Sequence, residues 1–306
     1  MELLTITCHR DIHDMILQAH SIQKFVLGQA RHTVVVEDGS LSEKEWLDVL
    51  SPYYTSHNLN LIWLERGDVS FPGEFIPING SKKFGIGGPG WRRQQILKLR
   101  ITSEITTSDT VLVLDSKNIF VRPIDLNTWP VRHGNGNYID TKTLLSETDP
   151  SPGAKTIQQW LLHLENDRGL KIPQKISMIL ETPFRWNVNL VKSICDNYDI
   201  EELFLNPDII PHEFHLYFFF VDPNELEPAK DVVCRVLFGS PPEQHFHYYI
   251  TSDMEKCDII SSPTHGLHRQ TRMDIPEDVA EIYKKWLTNK GLDDKLVCNY
   301  MQWCKD

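Results

Sequence analysis

Cysteine is scarce and scattered: six residues in 306, at Cys8, Cys195, Cys234, Cys257, Cys298 and Cys304. None forms a Cys-x-x-Cys pair or another zinc-ligand spacing, which excludes a finger- or ribbon-type zinc site. Most stand in apolar surroundings, as buried free thiols do. That points to a reducing compartment, although Cys298 and Cys304 are close enough to pair in a terminal disulfide. Long hydrophobic runs are also missing. The longest apolar-aromatic stretch, Leu216–Val221, falls far short of the roughly 18–20 residues of a membrane span. The opening Met-Glu-Leu-Leu-Thr-Ile-Thr-Cys lacks the basic region and apolar core of a signal peptide. A cytoplasmic location without a transmembrane segment is therefore expected. Positive charge is in deficit, with 31 Lys and Arg against 42 Asp and Glu and a net charge of -11. Broad nucleic-acid binding needs a basic footprint and is excluded on that balance. A local basic pocket for a phosphate is not. Repeats and low-complexity tails are absent.

What remains is an ordinary globular composition, 41% hydrophobic and 24% charged. The first 125 residues alternate strand and helix patterns. Strands are expected at Leu3–Cys8, Thr33–Val36, Leu59–Leu64 and Val111–Leu114. Helices are expected at Asp11–Phe25, Ser42–Leu50 and Trp91–Ile105, from apolar spacing of three and four. Ser42 and Glu45 have the spacing of a capping box. This order predicts an α/β fold with a mostly parallel, Rossmann-like sheet. Residues 130–155 read as a long loop, rich in Gly, Asn, Asp, Pro and Ser. Further helices are expected at Lys155–Glu165, Asn187–Tyr198, Glu225–Leu237 and Pro276–Lys290. Leu216–Val221 reads as a buried strand. His245 and His247 alternate as on a strand. One compact unit is expected, with residues 1–125 as a nucleotide-binding half and 126–306 as an acceptor-binding half.

The run Val111-Leu-Val-Leu114 stops at Asp115-Ser116-Lys117-Asn118. A continuous apolar run that ends at a carboxylate reads as a buried parallel strand delivering an acid to its C-terminal edge. Ligands bind at that edge in open α/β sheets. An acid there can hold a divalent metal, and the metal a diphosphate. Two further acids or cations reach the same edge. Asp38, after Val34-Val-Val-Glu37, can accept hydrogen bonds from a base or ribose, or merely start an Asp-Gly turn. Cys8-His9-Arg10-Asp11 follows the first strand, where Arg10 can fork onto a phosphate while Asp11 caps the next helix.

Three more clusters carry chemistry. Gly85-Ile-Gly87-Gly88-Pro-Gly90 formally matches Gly-x-Gly-x-x-Gly, but no strand precedes it, so a dinucleotide fingerprint is rejected. A glycine-rich loop entering a helix is still an anion-friendly place. On that helix Trp91, Gln94, Gln95 and Lys98 share a face. Adjacent glutamines beside a tryptophan suit a polyhydroxy ligand, against the plainer reading of an amphipathic helix. Glu213 stands just ahead of Phe214-His-Leu-Tyr-Phe-Phe-Phe. Apolar walls raise a carboxyl pKa and make it a base near neutrality; an exposed charge at a strand entry is the alternative. His265 and His268 in Thr264-His-Gly-Leu-His268 can supply a metal ligand or phosphate contact.

Together these residues resemble GT-A-fold glycosyltransferases. Val-Val-Val-Glu37-Asp38-Gly39-Ser40 is similar to the second-strand segment of inverting family-2 enzymes, where the acid contacts uracil. Leu114-Asp115-x-Lys117-Asn118 resembles the Asp-x-Asp position. More closely, Gly90-Trp91-x-x-Gln94-Gln95-x-x-Lys98-Leu99, Asp115-x-Lys117-Asn118-x-Phe120-x-Arg122-Pro123 and Glu213-Phe214-x-Leu216-Tyr217 resemble a poorly characterised glycosyltransferase-like family of polysaccharide gene neighbourhoods. The chain departs from Asp-x-Asp at Lys117, where the usual metal ligand would stand. The resemblance implies either that Lys117 offsets diphosphate charge in place of a metal, or that Asp115, Asn118 and His268 bind Mn²⁺ or Mg²⁺.

The expected function is transfer of a sugar from a nucleotide-diphosphate donor to a saccharide or lipid-linked acceptor, by a single inverting displacement. Cys8, His9, Arg10, Asp38, Lys98, Asp115, Lys117 and Asn118 would bind the donor. Glu213 would be the base and Asp115 would stabilise the leaving group. Trp91, Gln94 and Gln95 would position sugar hydroxyls. A degenerate nucleotide-sugar or glycan-binding protein is the alternative, since the Asp-x-Asp pattern is broken. A sugar nucleotidyltransferase fits least, because Cys8-His9-Arg10 lacks the glycines of its phosphate loop.

Overall fold

In a computed structural model of the chain, residues 1–28, 30–37, 41–55, 58–64, 89–104, 106–129, 138–177, 182–205, 211–226, 235–237, 245–259, 261–267 and 269–302 are described. The elements run β1 (Glu2–Thr7), α1 (Ile12–Phe25), β2 (Val26–Leu27), β3 (His32–Glu37), α2 (Glu43–Leu50), β4 (Leu59–Leu64), α3 (Pro89–Glu104) and β5 (Thr110–Asp115). Then come β6 (Ile119–Phe120), β7 (Ile124–Asp125), β8 (Tyr138–Asp140), α4 (Thr141–Ser146), α5 (Pro152–Arg168), β9 (Lys175–Ser177) and β10 (Phe184–Asn187). The rest are α6 (Val188–Asn197), α7 (Ile200–Leu205), α8 (Glu213–Phe218), β11 (Arg235–Leu237), α9 (Phe246–Ile259), β12 (Thr264–Leu267), α10 (Arg269–Asp274), α11 (Glu277–Asn289) and α12 (Asp294–Gln302).

The main sheet has the order β10-β5-β1-β3-β4. β5, β1, β3 and β4 are parallel, and β10 is antiparallel to β5. The parallel strands therefore send their C-terminal ends, Thr7, Glu37, Leu64 and Asp115, to one edge. Both faces are covered, which is why β3 and β5 carry unbroken apolar runs, Val34–Val36 and Val111–Leu114, rather than alternating ones. Leu4, Ile6, Val111 and Val113 pack under α3, α5, α6 and α8. Leu3, Leu112 and Leu114 face α1 and the C-terminal helices. Val34 and Val36 meet Met15, Ala19 and Trp46 of α1 and α2.

The capping box of α2 forms as expected: Glu45 donates its N–H to Ser42 Oγ, and its carboxylate accepts the Ser42 N–H. Four expectations need correction. Leu216–Val221 is not a strand; α8 runs through Phe218, and Phe219–Phe220 form a turn. Every residue of α8 is buried, so no polar face marks its period, and a short apolar run is ambiguous without one. Within the expected helix at Glu225–Leu237, Arg235–Leu237 is a strand recruited by parallel pairing with β12. Residues 138–155 hold β8, α4 and the start of α5 rather than loop. Their loop-like composition comes from caps: Asp140 accepts the Thr143 N–H and Ser151 the Ala154 N–H. His245 immediately precedes α9 and His247 lies in its first turn, both exposed, not on a strand. Among the described residues no helix is long and apolar enough to cross a membrane. Cys8, Cys195, Cys257 and Cys298 are free thiols.

Candidate functional site

β5 delivers Asp115 to the C-terminal edge of the sheet, as its sequence pattern requires. The chain then turns sharply, with the Asn118 N–H donating to the Asp115 carbonyl at 2.9 Å. Asn118 closes the turn from inside: its amide oxygen accepts the Asp115 N–H at 2.7 Å and its amide nitrogen donates to the Thr182 carbonyl at 3.0 Å. Gln18 of α1 grips the same turn. Its amide nitrogen donates to the carbonyls of Asp115 (2.7 Å), Ser116 (3.3 Å) and Asn118 (2.9 Å), while its oxygen accepts from Thr5 Oγ1 at 3.0 Å. Behind it His32 lies 2.9 Å from Thr5 Oγ1 and 2.6 Å from the Tyr54 hydroxyl. Burial drives the His32 pKa down to about 3, so this chain of polar groups is uncharged. Gly266 of β12 closes the other side. A Cβ there would sit 2.1 Å from the Lys117 carbonyl oxygen.

Above the turn lies a compact ionic cluster. Lys117 Nζ is 2.8 Å from Asp115 Oδ2, and Lys98 Nζ of α3 is 3.4 Å from Asp115 Oδ1. Lys98 also reaches Glu213 Oε1 at 3.1 Å and sits 5.4 Å over the Phe214 ring. His212 Nδ1 is 2.9 Å from Glu213 Oε2, and the Trp91 ring meets the His212 ring edge-on at 5.6 Å. With its amide turned to donate, Gln95 binds Glu213 Oε1 at 2.9 Å. Burial opposes ionisation throughout, yet the charges win by mutual neutralisation. Lys98 stays above its ordinary pKa because Glu213 and Asp115 outweigh its burial. Asp115 resists its own burial through Lys117 and Lys98 and lies well below the carboxylate range.

Glu213 is the main correction at the site. It is 0% exposed, and burial alone would raise its pKa as expected. Lys98 and His212 reverse the sign and hold it at about 2. Glu213 is thus sealed and ion-paired rather than raised toward neutrality as apolar walls alone would make it. Gln95 is likewise buried, so it faces Glu213 rather than a ligand. Asn118 is 1% exposed with its amide oxygen committed to the turn, which removes it from a metal site.

The loop after β1 runs along the same edge. Cys8 and His9 are half-buried and Arg10 is exposed. Burial pushes the Cys8 thiol up to about 11, so it is no nucleophile at neutral pH. Asp11 makes no side-chain cap on α1. It accepts a hydrogen bond from Ser116 Oγ at 2.9 Å instead, and burial, with Asp14 nearby, raises its pKa to about 6. Glu37, at the end of β3, pairs with Arg93, yet burial leaves its pKa raised to about 7. Asp38 and His268 lie outside the described residues. His265 is a core group, bonded to Asp253 and Tyr283 at 2.9 Å each.

No protein-family model matches the chain, and no curated protein does. Solved structures do. The galactosyltransferase LgtC in complex with donor and acceptor sugar analogues is 14% identical, with a TM-score of 0.51 over 94% of this chain and 96% of that one. An active-site mutant of LgtC gives 13% and 0.51 over the same shares. Mouse xyloside xylosyltransferase 1 is more distant, at 12% and a TM-score of 0.41, over 87% of this chain and 96% of that one. The fold is GT-A-like. Asp115 stands at the C-terminal end of β5 in that fold.

Of the expected residues, Asp115, Lys117, Lys98, Glu213, Gln95 and Trp91 converge, drawn from β5, α3 and α8. Gln94 is half-buried on α3 without a place in the ionic cluster. Gln18, Gly266, Asp11 and His212 have structural parts that the sequence reading did not assign. Asp11, His212 and Gly266 had a signal: Asp11 as a helix-cap candidate beside Arg10, and His212 and Gly266 as neighbours of Glu213 and His265.

Proposed function

We propose that the protein is a glycosyltransferase that moves a sugar from a nucleotide-diphosphate donor to a saccharide or lipid-linked acceptor. The observation that carries this reading is the head of β5. There Asp115 and two lysines meet at the C-terminal edge of a GT-A-like sheet, where such folds take their ligands. The loop of Cys8, His9 and Arg10 supplies the nucleotide end, to which the sequence also assigns Asp38. Asp115 and Lys117 form the diphosphate end. Trp91 and Gln94, on the outer part of α3, face the acceptor. Glu213 and Gln95 act as positioning residues that hold Lys98 against Asp115. Residues 1–125 supply most of the donor half and 126–306 the acceptor half, in a cytoplasmic enzyme.

The test is donor turnover. The purified chain is incubated with a panel of nucleotide sugars, with and without saccharide acceptors, and nucleoside diphosphate release is followed. Release from one donor class, lost in Asp115→Asn, is the expected result. If no donor in the panel yields nucleoside diphosphate, the transferase assignment fails.

A further inference from the structure

Two ammonium groups, rather than a fan of acids, stand at the head of β5. Each oxygen of Asp115 already carries a cation, Lys117 on one and Lys98 on the other. Lys98 is shared with Glu213. Asp115 and Glu213 are matched by the two ammoniums, and Asp11, bonded to Ser116 of the same turn, lies within electrostatic reach of Lys117. A divalent metal site has the opposite character: several hard oxygen ligands with excess negative charge waiting for the ion. Asn118, one of the expected ligands, is spent on its own turn. Among the described residues no three His, Cys, Asp or Glu side chains converge as a metal-binding set. A divalent cation placed on Asp115 would sit beside two ammoniums, and repulsion between like charges at such spacing is strong in a half-buried site. The described residues do not fit a metal.

We propose that lysine takes the place of the metal, an inference that rests on the nucleotide-sugar reading above. Lys98 is the fixed charge: it is 5% exposed and held on three sides by Asp115, Glu213 and the Phe214 ring. Lys117 is the working charge. It sits at the tip of the turn with its side chain 16% exposed, on a four-carbon stem that can swing. The backbone beneath it is clamped by Gln18 and Gly266, so its reach is set. When the donor arrives, the Lys117 ammonium exchanges Asp115 for the diphosphate. During transfer the acceptor oxygen bonds to the anomeric carbon as the bond to the diphosphate oxygen breaks. The electron pair leaves with the nucleoside diphosphate, and the acceptor's hydroxyl proton passes to solvent. The charge that develops on the leaving oxygen is met by the Lys117 ammonium, the role a bound cation otherwise fills.

The experiment measures binding of UDP, GDP, CDP and ADP to the full chain by calorimetry, in EDTA and in millimolar Mn²⁺ or Mg²⁺. It is repeated with Lys117→Ala and Lys117→Asp, with melting temperatures taken for each variant. The expected result is binding of one nucleoside diphosphate in EDTA, changed less than about twofold by metal. Lys117→Ala then weakens it by about tenfold or more with the melting temperature unmoved, and Lys117→Asp, which restores the second acid, makes binding depend on metal. If EDTA abolishes wild-type binding and Mn²⁺ restores it, the lysine site is wrong while the nucleotide-sugar reading stands. Full-strength binding by Lys117→Ala overturns it equally. No binding of any nucleoside diphosphate, with or without metal, overturns both.

Discussion

Glu213 ties the stability of the protein to pH with a definite sign. Its folded pKa is about 2, against 4.5 for an ordinary glutamate. A depressed carboxyl stabilises the fold above its unfolded pKa and loses that contribution as pH falls through the folded one. The difference corresponds to about 3 kcal/mol. Glu213→Gln should therefore cost on the order of 3 kcal/mol near neutral pH. The gap from wild type should close between pH 4.5 and about 2. Denaturant unfolding of both proteins across that range measures it, and a gap independent of pH would show that Glu213 is not charged in the fold. Gly266 makes a second residue-scale prediction. A methyl group there would meet the Lys117 carbonyl at 2.1 Å, and backbone cannot yield as a flexible side chain does. Gly266→Ala should displace the turn that carries Asp115 and Lys117, and donor turnover should fall by roughly tenfold or more for a shift of about 1 Å. Unchanged turnover would mean that the turn's position is not critical.

Elements matter here through what they hold. α1 supplies no charge to the cluster, yet its Gln18 secures three carbonyls of the turn after β5. Gln18→Leu leaves those acceptors without their donor in a buried setting. The cost should be about 2–3 kcal/mol, near 1 kcal/mol for each lost bond. Loosening the turn should lower kcat more than it changes donor affinity, which steady-state kinetics can separate. An equal loss in a control such as Leu17→Ala, which alters only apolar contacts of α1, would assign the effect to α1 packing alone. α3 and α8 act together in the same way: α3 brings Lys98, α8 brings Glu213, and neither charge is tolerable inside without the other. The helical spacing of Trp91, Gln95 and Lys98 was visible in the sequence. Their partner was not, because α8 has no polar face to give it a period.

For the molecule as a whole, a large apolar core packs on the face of the sheet opposite α1. Trp160 is fully buried there, stacked on His163 at 5.6 Å and edge-on to Phe204 at 5.9 Å. Trp160→Ala should cost about 3–5 kcal/mol, read by urea unfolding. Because Trp160 lies on α5, away from the ionic cluster, the folded fraction should retain donor affinity. A variant that stays folded but has lost nucleotide binding would show that the two regions are coupled.

The order of the first elements, the parallel sheet and the placing of Asp115 at a strand end were legible in the residues alone. These follow from local period and from burial on both sheet faces, which leave marks in consecutive residues. Tertiary structure decided the rest. It made α8 a helix where an apolar run suited a strand equally well, and it turned loop-like residues 138–155 into capped short elements. Above all it decided the state of Glu213. A carboxyl among aromatic residues is raised by burial alone. Lys98, 115 residues away in the chain, reverses that shift, and no local pattern records a partner so distant.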